Sequence, residues 1–232
     1  MNGEVIIACD FSTKEETLNF LNKFKEEKPF IKIGMELYYA EGPSIVKEIK
    51  DRGHKIFLDL KLHDIPNTVY KAMKNLADLD VDMLNVHALG TVEMMAAAKR
   101  ALVEKGANTI LIAVTQLTST SEEAMQEELL IKHSMNDTVS TYALNAKKAG
   151  LDGVVCSPLE ATIIKETCGN DFISVTPGIR FASDDKGDQK RFTTPEKARE
   201  LGCTYIVVGR PITTSEDPVA AYRRAMKEFV GE

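Results

Sequence analysis

Apolar positions fall along this chain in two alternating rhythms. Short runs such as VII, IFL, TILIAV and YIVV are apolar at consecutive positions, as expected of parallel strands buried on both faces. They predict strands at Glu4–Cys9, Phe30–Ile33, Lys55–Leu60, Met83–His87, Thr109–Thr115, Gly153–Cys156, Phe172–Thr176 and Tyr205–Val208. Longer stretches between them keep a helical rhythm; in the first, Thr17, Leu18, Leu21 and Phe24 make one stripe. Eight strands, each followed by a helical segment, predict an α/β chain closed as a (β/α)8 TIM barrel, a single domain over residues 1–232.

Helix starts carry their own chemistry. Ser12 with Glu15 fits a capping box, and so does Ser157 with Glu160, where Pro158 takes the first helical position. Thr194–Pro195 and Asp217–Pro218 repeat the cap-then-proline signal. One polar stretch, Phe181–Arg191 (FASDDKGDQKR), predicts a long loop after the seventh strand, and loops of that length in barrels are often lids.

Charge narrows the functional classes. A net charge of −6 argues against a nucleic-acid binder, so an anionic substrate must be met by local cations. No apolar run is long enough to cross a membrane, and the start of the chain lacks the basic region of a secretory signal. Cys9, Cys156, Cys168 and Cys203 are scattered without metal-ligand spacing, which predicts reduced, structural thiols and a cytoplasmic protein.

Candidate chemistry is densest at the third strand, FLDLKLHDIPNTV. Strand alternation points Asp59 and Lys61 the same way, Asp64 follows in the turn, and Pro66 with Asn67 begins a helix. Barrel active sites lie at this carboxyl end of the strands, where unpaired charges would be costly to bury. Asp10 ends the first strand and Lys32 lies in the second, so the five charges can converge as an alternating array. The seventh and eighth strands end in TPGIR and VVGRPI; Gly178 and Gly209 permit close backbone approach, and Arg180 and Arg210 suit a phosphate dianion. Gln189 in the expected lid adds a donor. His54, His63 and His133 read as structural, whereas His87, at a strand end, suits orienting a site. Nucleophile motifs, GxGxxG and P-loops are absent.

The segment DLKLHDIPNT resembles the signature of the orotidine 5′-phosphate decarboxylase family, matching at Asp59, Lys61, Asp64, Ile65, Pro66 and Thr68. The resemblance extends through ACD, IKIG, NVHA, VTQLTS, VTPGIR and VVGRPI, essentially the whole chain. It implies a catalytic tetrad of Lys32, Asp59, Lys61 and a partner subunit's Asp64. It further implies ribose contacts from Asp10, Lys32 and the partner's Thr68, and pyrimidine contacts from Thr118 or Ser119. Gln189 would bridge base and phosphate, with Arg180, Gly209 and Arg210 gripping the phosphate; Ile65 and Pro177 belong to the same substrate-binding set. The implied enzyme is a homodimer that converts a nucleotide substrate with no metal and no cofactor. Sugar-phosphate decarboxylases and hexulose-phosphate synthases resemble the chain at Asp59, Lys61 and Asp64, but use Mg²⁺ and lack the Ile65–Thr68 continuation. A catalytically silent phosphometabolite binder is the remaining alternative.

Overall fold

A computed structural model describes residues 3–182 and 192–231. The consecutive-apolar runs become β1 (Glu4–Ala8), β2 (Phe30–Gly34), β3 (Ile56–Leu62), β4 (Met83–His87), β5 (Ile110–Val114), β6 (Gly153–Val155), β7 (Ile173–Thr176) and β8 (Tyr205–Val208). All pair in parallel with their sequence neighbours, and β8 pairs back onto β1 through Glu4↔Tyr205 to close the barrel. The α/β, single-domain barrel expected from the rhythm is the fold observed.

Strand alternation divides the core. Val5, Ile7, Ile31, Ile33, Ile56 and Leu58 face outward into the main cluster, against the helices. Ile6, Ala8, Phe30, Phe57, Met83, Ile112, Ile173, Val175 and Val207 form a second cluster that fills the barrel interior. Lys32 and Asp59 follow Phe30 and Phe57 by two residues, so they continue the inward column at the carboxyl end.

The helices are α1 (Lys14–Leu21), α2 (Met35–Glu41), α3 (Pro43–Asp51), α4 (Pro66–Ala77), α5 (Thr91–Lys105), α6 (Glu122–Glu127), α7 (Met135–Lys148), α8 (Ala161–Cys168), α9 (Pro195–Glu200), α10 (Arg210–Thr213) and α11 (Pro218–Val230). Three of the four expected caps hold. Thr194 and Asp217 accept from the backbone of Lys197 and Ala220, and the Ser157–Glu160 box caps a 3₁₀ turn, Pro158–Glu160, that leads into α8. The first cap shifts by one residue: Thr13, not Ser12, caps α1 by accepting from Glu16 N, and Ser12 Oγ donates to Glu36 at 2.6 Å. The α1 stripe buries Thr17, Phe20 and Leu21, while Leu18 is only partly covered.

At the opposite end of the barrel, charged side chains serve the backbone. Asp82 accepts from Ile56 N, the first amide of β3, and pairs with Lys50; Asp152 accepts from Leu111 N and pairs with Lys99. All four cysteines are free and buried. Among the described residues no helix is long and apolar enough to cross a membrane, and no cluster of metal-ligating side chains is found.

Candidate active site

Four charges meet at the carboxyl ends of β1, β2 and β3. Lys32 Nζ donates to Asp10 Oδ1 at 2.6 Å and lies 3.6 Å from Asp59 Oδ2. Lys61 Nζ donates to Asp59 Oδ1 at 2.6 Å. The order Asp10–Lys32–Asp59–Lys61 alternates in sign, with Lys32 and Asp59 each 9% exposed. Burial opposes the charged form of Asp59, but the nearby Lys32 and Lys61 ammonium groups and the hydrogen bonds from Lys61 and Asn85 outweigh it, and its pKa falls below the usual carboxylate value. Burial likewise opposes the Lys32 ammonium, yet Asp10 and Asp59 raise its pKa above the usual amine value. Both partners therefore stay charged near neutral pH.

Simple alternation does not describe how Lys61 gets there. β3 and β4 pair at Leu58↔Leu84 and next at Leu62↔Val86. Asp59, Leu60 and Lys61 therefore bulge opposite the single residue Asn85. Lys61 has φ 51, a left-handed backbone that costs a non-glycine residue about 1–3 kcal/mol. Asn85, 1% exposed, accepts from Lys61 N at 2.7 Å and donates from Nδ2 to Asp59 Oδ1 at 2.7 Å. Its signal in the sequence is a polar residue at an inward position within the strand MLNVH, between apolar Leu84 and Val86.

Lys32, Asp59 and Lys61 line a cavity of about 240 Å³ together with Phe57, Gln116, Thr118, Ser119 and Pro177. The structure thus brings Thr118, Ser119 and Pro177 to the charged array. Gln116 was not singled out from the sequence; it is buried, and its Nε2 has no hydrogen-bond partner among the described residues.

Arg180 and Arg210 line a neighbouring cavity of about 730 Å³ with Phe181, Thr214, Ser215 and Arg224. The turn after β7 is fixed by Thr193 N→Gly178 O (3.1 Å) and Arg180 N→Thr193 O (3.0 Å), with Gly178 at φ 84. Arg180 Nη1 donates to Ile179 O at 2.9 Å, and the Arg224 guanidinium stacks 4.1 Å over the Phe181 ring. At Gly209 an added Cβ would meet, among the described residues, only Ala8 Cβ at 3.6 Å, so these residues leave the backbone there open to close approach. Gln189 and most of the expected lid, Phe181–Arg191, lie outside the described residues.

Asp64, Ile65 and Thr68 do not join the array of their own chain. All three are exposed, Asp64 and Ile65 in the turn from β3 into α4 and Thr68 in the first turn of α4, and Asp64 Oδ1 accepts from Ile65 N at 2.6 Å. Asp64 and Thr68 line a separate groove of about 290 Å³ on the far side of Lys61. The His63 ring stacks on His87 with centroids 5.5 Å apart. His87 Nδ1 accepts from Leu89 N, so its ring caps the 3₁₀ turn after β4. Burial, with the charges of His63 and Lys61, lowers the His87 pKa.

The chain matches the family model described as "Orotidine 5′-phosphate decarboxylase / HUMPS family" over residues 3–225. It is 59% identical over 229 residues to an orotidine 5′-phosphate decarboxylase of Fusobacterium nucleatum, covering 99% of this chain and 97% of that protein. It is 54% identical over 236 residues to one of Bacillus mycoides, covering 100% and 99%. A crystal structure of orotidine 5′-phosphate decarboxylase from Lactobacillus acidophilus superposes with a TM-score of 0.87 at 43% identity, covering 98% of this chain and 99% of that one.

Proposed function

The chain belongs to the orotidine 5′-phosphate decarboxylase / HUMPS family and is a carboxy-lyase of pyrimidine synthesis, and we propose that its β3 charge array decarboxylates orotidine 5′-phosphate through a lysine-stabilised carbanion. The observation that carries this reading is the Asp59–Lys61 pair, 2.6 Å apart on the wall of a cavity that also holds Lys32.

In the proposed step the bond from C6 of the pyrimidine to its carboxylate breaks, CO₂ leaves, and the electron pair stays on C6. That carbanion requires a cation beside it. An ammonium about 4 Å away at an effective dielectric near 20 supplies roughly 4 kcal/mol. Lys61 is that cation and then gives its proton to C6, yielding uridine 5′-phosphate; the neutral amine regains a proton from water. Asp59 lies against the departing carboxylate and keeps Lys61 charged. Lys32 and Asp10 hold the ribose hydroxyls, Thr118 or Ser119 the pyrimidine, and Arg180, Gly209 and Arg210 the phosphate, with Pro177 and the partner's Ile65 completing the walls and Gln189 bridging base and phosphate. No metal or organic cofactor takes part.

The fourth catalytic charge, Asp64, comes in this reading from a second copy, as does Thr68. Two observations support a homodimer. The exposed position of Asp64 leaves it available to another chain, and Met35, Tyr39, Ile65, Leu89 and Leu117 are exposed apolar side chains that all follow strand carboxyl ends. The cytoplasm is the compartment proposed for the enzyme. Following pyrimidine absorbance as the protein meets orotidine 5′-phosphate, with and without a chelator, tests the reaction. Chelator-insensitive turnover is expected. No turnover sinks the assignment, and chelator-sensitive turnover sinks its cofactor-free form.

A further inference from the structure

We propose that Asn85 is a positioning residue for the β3 charge array, its carboxamide holding the Lys61 backbone and the Asp59 carboxylate in register. The inference rests on the decarboxylase reading given above. Three β3 residues, Asp59 to Lys61, stand opposite this one β4 residue, so the regular ladder cannot satisfy their backbone groups. Asn85 Oδ1 substitutes for the missing acceptor by taking the Lys61 N–H at 2.7 Å. Its Nδ2 donates to the same oxygen, Asp59 Oδ1, that receives the Lys61 ammonium.

One planar group thereby ties the lysine's backbone to the carboxylate its side chain grips. The amide has a single workable orientation. Rotated by half a turn, it would set N–H₂ against the Lys61 N–H and a carbonyl oxygen against a carboxylate. A residue that only filled the core would need neither contact, and an apolar side chain would fit the column above Met83 and beside its β5 partner Ile112. Asn85 touches no substrate in this account; it acts through Lys61 and Asp59.

Two variants separate positioning from mere packing. Asn85→Leu keeps the branched shape and removes both hydrogen bonds. Asn85→Asp keeps the acceptor but, when ionised, repels Asp59; when protonated, its O–H replaces the lost donor. The titratable groups facing the position are Asp59 and Lys61 from β3, with Lys32 behind Asp59, and His87 on β4 itself; β5 presents Ile112. Wild type and Asn85→Leu carry the same neighbours and serve as controls for them. The measurements are melting temperature, uridine 5′-phosphate affinity, and kcat for orotidine 5′-phosphate from pH 5 to 8.

Both variants are expected to bind uridine 5′-phosphate within about threefold of wild type. At pH 8 both should lose about 100-fold in kcat, the scale of a misplaced reacting group. Asn85→Asp alone should recover as pH falls, along a limb that neither control shows. Wild-type turnover with near-normal kcat in Asn85→Leu overturns the positioning role and leaves the decarboxylase reading standing. So does a loss of affinity and melting temperature in step with kcat, or an Asn85→Asp profile parallel to that of Asn85→Leu. Should Asn85→Leu fail to fold, the pH profile of Asn85→Asp against wild type decides. Absence of wild-type turnover is the separate failure, that of the reaction itself.

Discussion

Lys61 reaches the Asp59 carboxylate at 2.6 Å from a backbone in the left-handed region, φ 51, so the shorter of the two lysine contacts to Asp59 is made by a strained residue. Strain of this kind persists only where surrounding structure over-determines it, and here it aims an ammonium into the cavity. Removing that ammonium should therefore affect chemistry far more than binding. Lys61→Ala is expected to lower kcat by at least about 1,000-fold, the equivalent of roughly 4 kcal/mol. Uridine 5′-phosphate affinity should change only modestly. Near-normal turnover in this variant would take Lys61 out of the mechanism.

Arg210 is exposed at the end of β8 and shares its cavity with Arg180. A charge-assisted hydrogen bond to phosphate is worth about 1.5–3 kcal/mol, so Arg210→Ala should lower kcat/KM by about 10- to 150-fold. The nucleoside orotidine has no phosphate to lose, and its slow turnover should be the same in both proteins. An equal loss for nucleotide and nucleoside would mean that the arginine acts on the fold or the array instead.

The strands were legible because both faces are buried, which writes them as apolar runs; four of the eight predicted strands nonetheless run one residue too long at one end or both, β2 ends one residue short, and β3 starts one residue early and ends two short. The charged members of the site were legible too, since Lys32 and Asp59 interrupt those runs at inward positions. What periodicity could not show was the bulge. It follows from a side chain on β4 replacing a ladder hydrogen bond on β3, which is a tertiary event. The Ser12 cap missed by one residue because Ser12–Glu15 and Thr13–Glu16 both satisfy the local rule, which cannot choose between them. The short helices α2 and α10, pressed against strand ends, left no stripe long enough to read.

His54 supplies a test of stability against pH. Burial lowers its pKa below 6.5, although its Nδ1 sits 3.0 Å from Pro29 O, which favours the charged form. A group whose folded pKa is depressed contributes stability that is fully present above the unfolded value and is lost as pH falls through the folded one. His87 acts in the same direction. The melting temperature should accordingly hold near pH 7.5 and fall as the solution is acidified below about 6.5. His54→Gln should show a smaller fall. An acid-side decline equally steep in His54→Gln would exclude this histidine as a contributor.

Asp64 decides whether a complete site needs two chains. It is exposed, lines a groove apart from the cavity that holds Lys32 and Asp59, and makes no ion pair among the described residues. If each site takes Lys61 from one subunit and Asp64 from the other, Lys61→Ala and Asp64→Asn homodimers are each defective at both sites. Exchange between them puts both substitutions into one site and neither into the other. An equal mixture at random makes half of all dimers mixed, each with one intact site, so about a quarter of wild-type activity should return. Its appearance should follow subunit exchange and vanish if the dimers are cross-linked before mixing. If Asp64 instead served its own chain's Lys61, a mixed dimer would carry one defect in each site and nothing would be regained. Activity that stays at the sum of the two variants after full exchange therefore assigns Asp64 to its own subunit and removes the shared site.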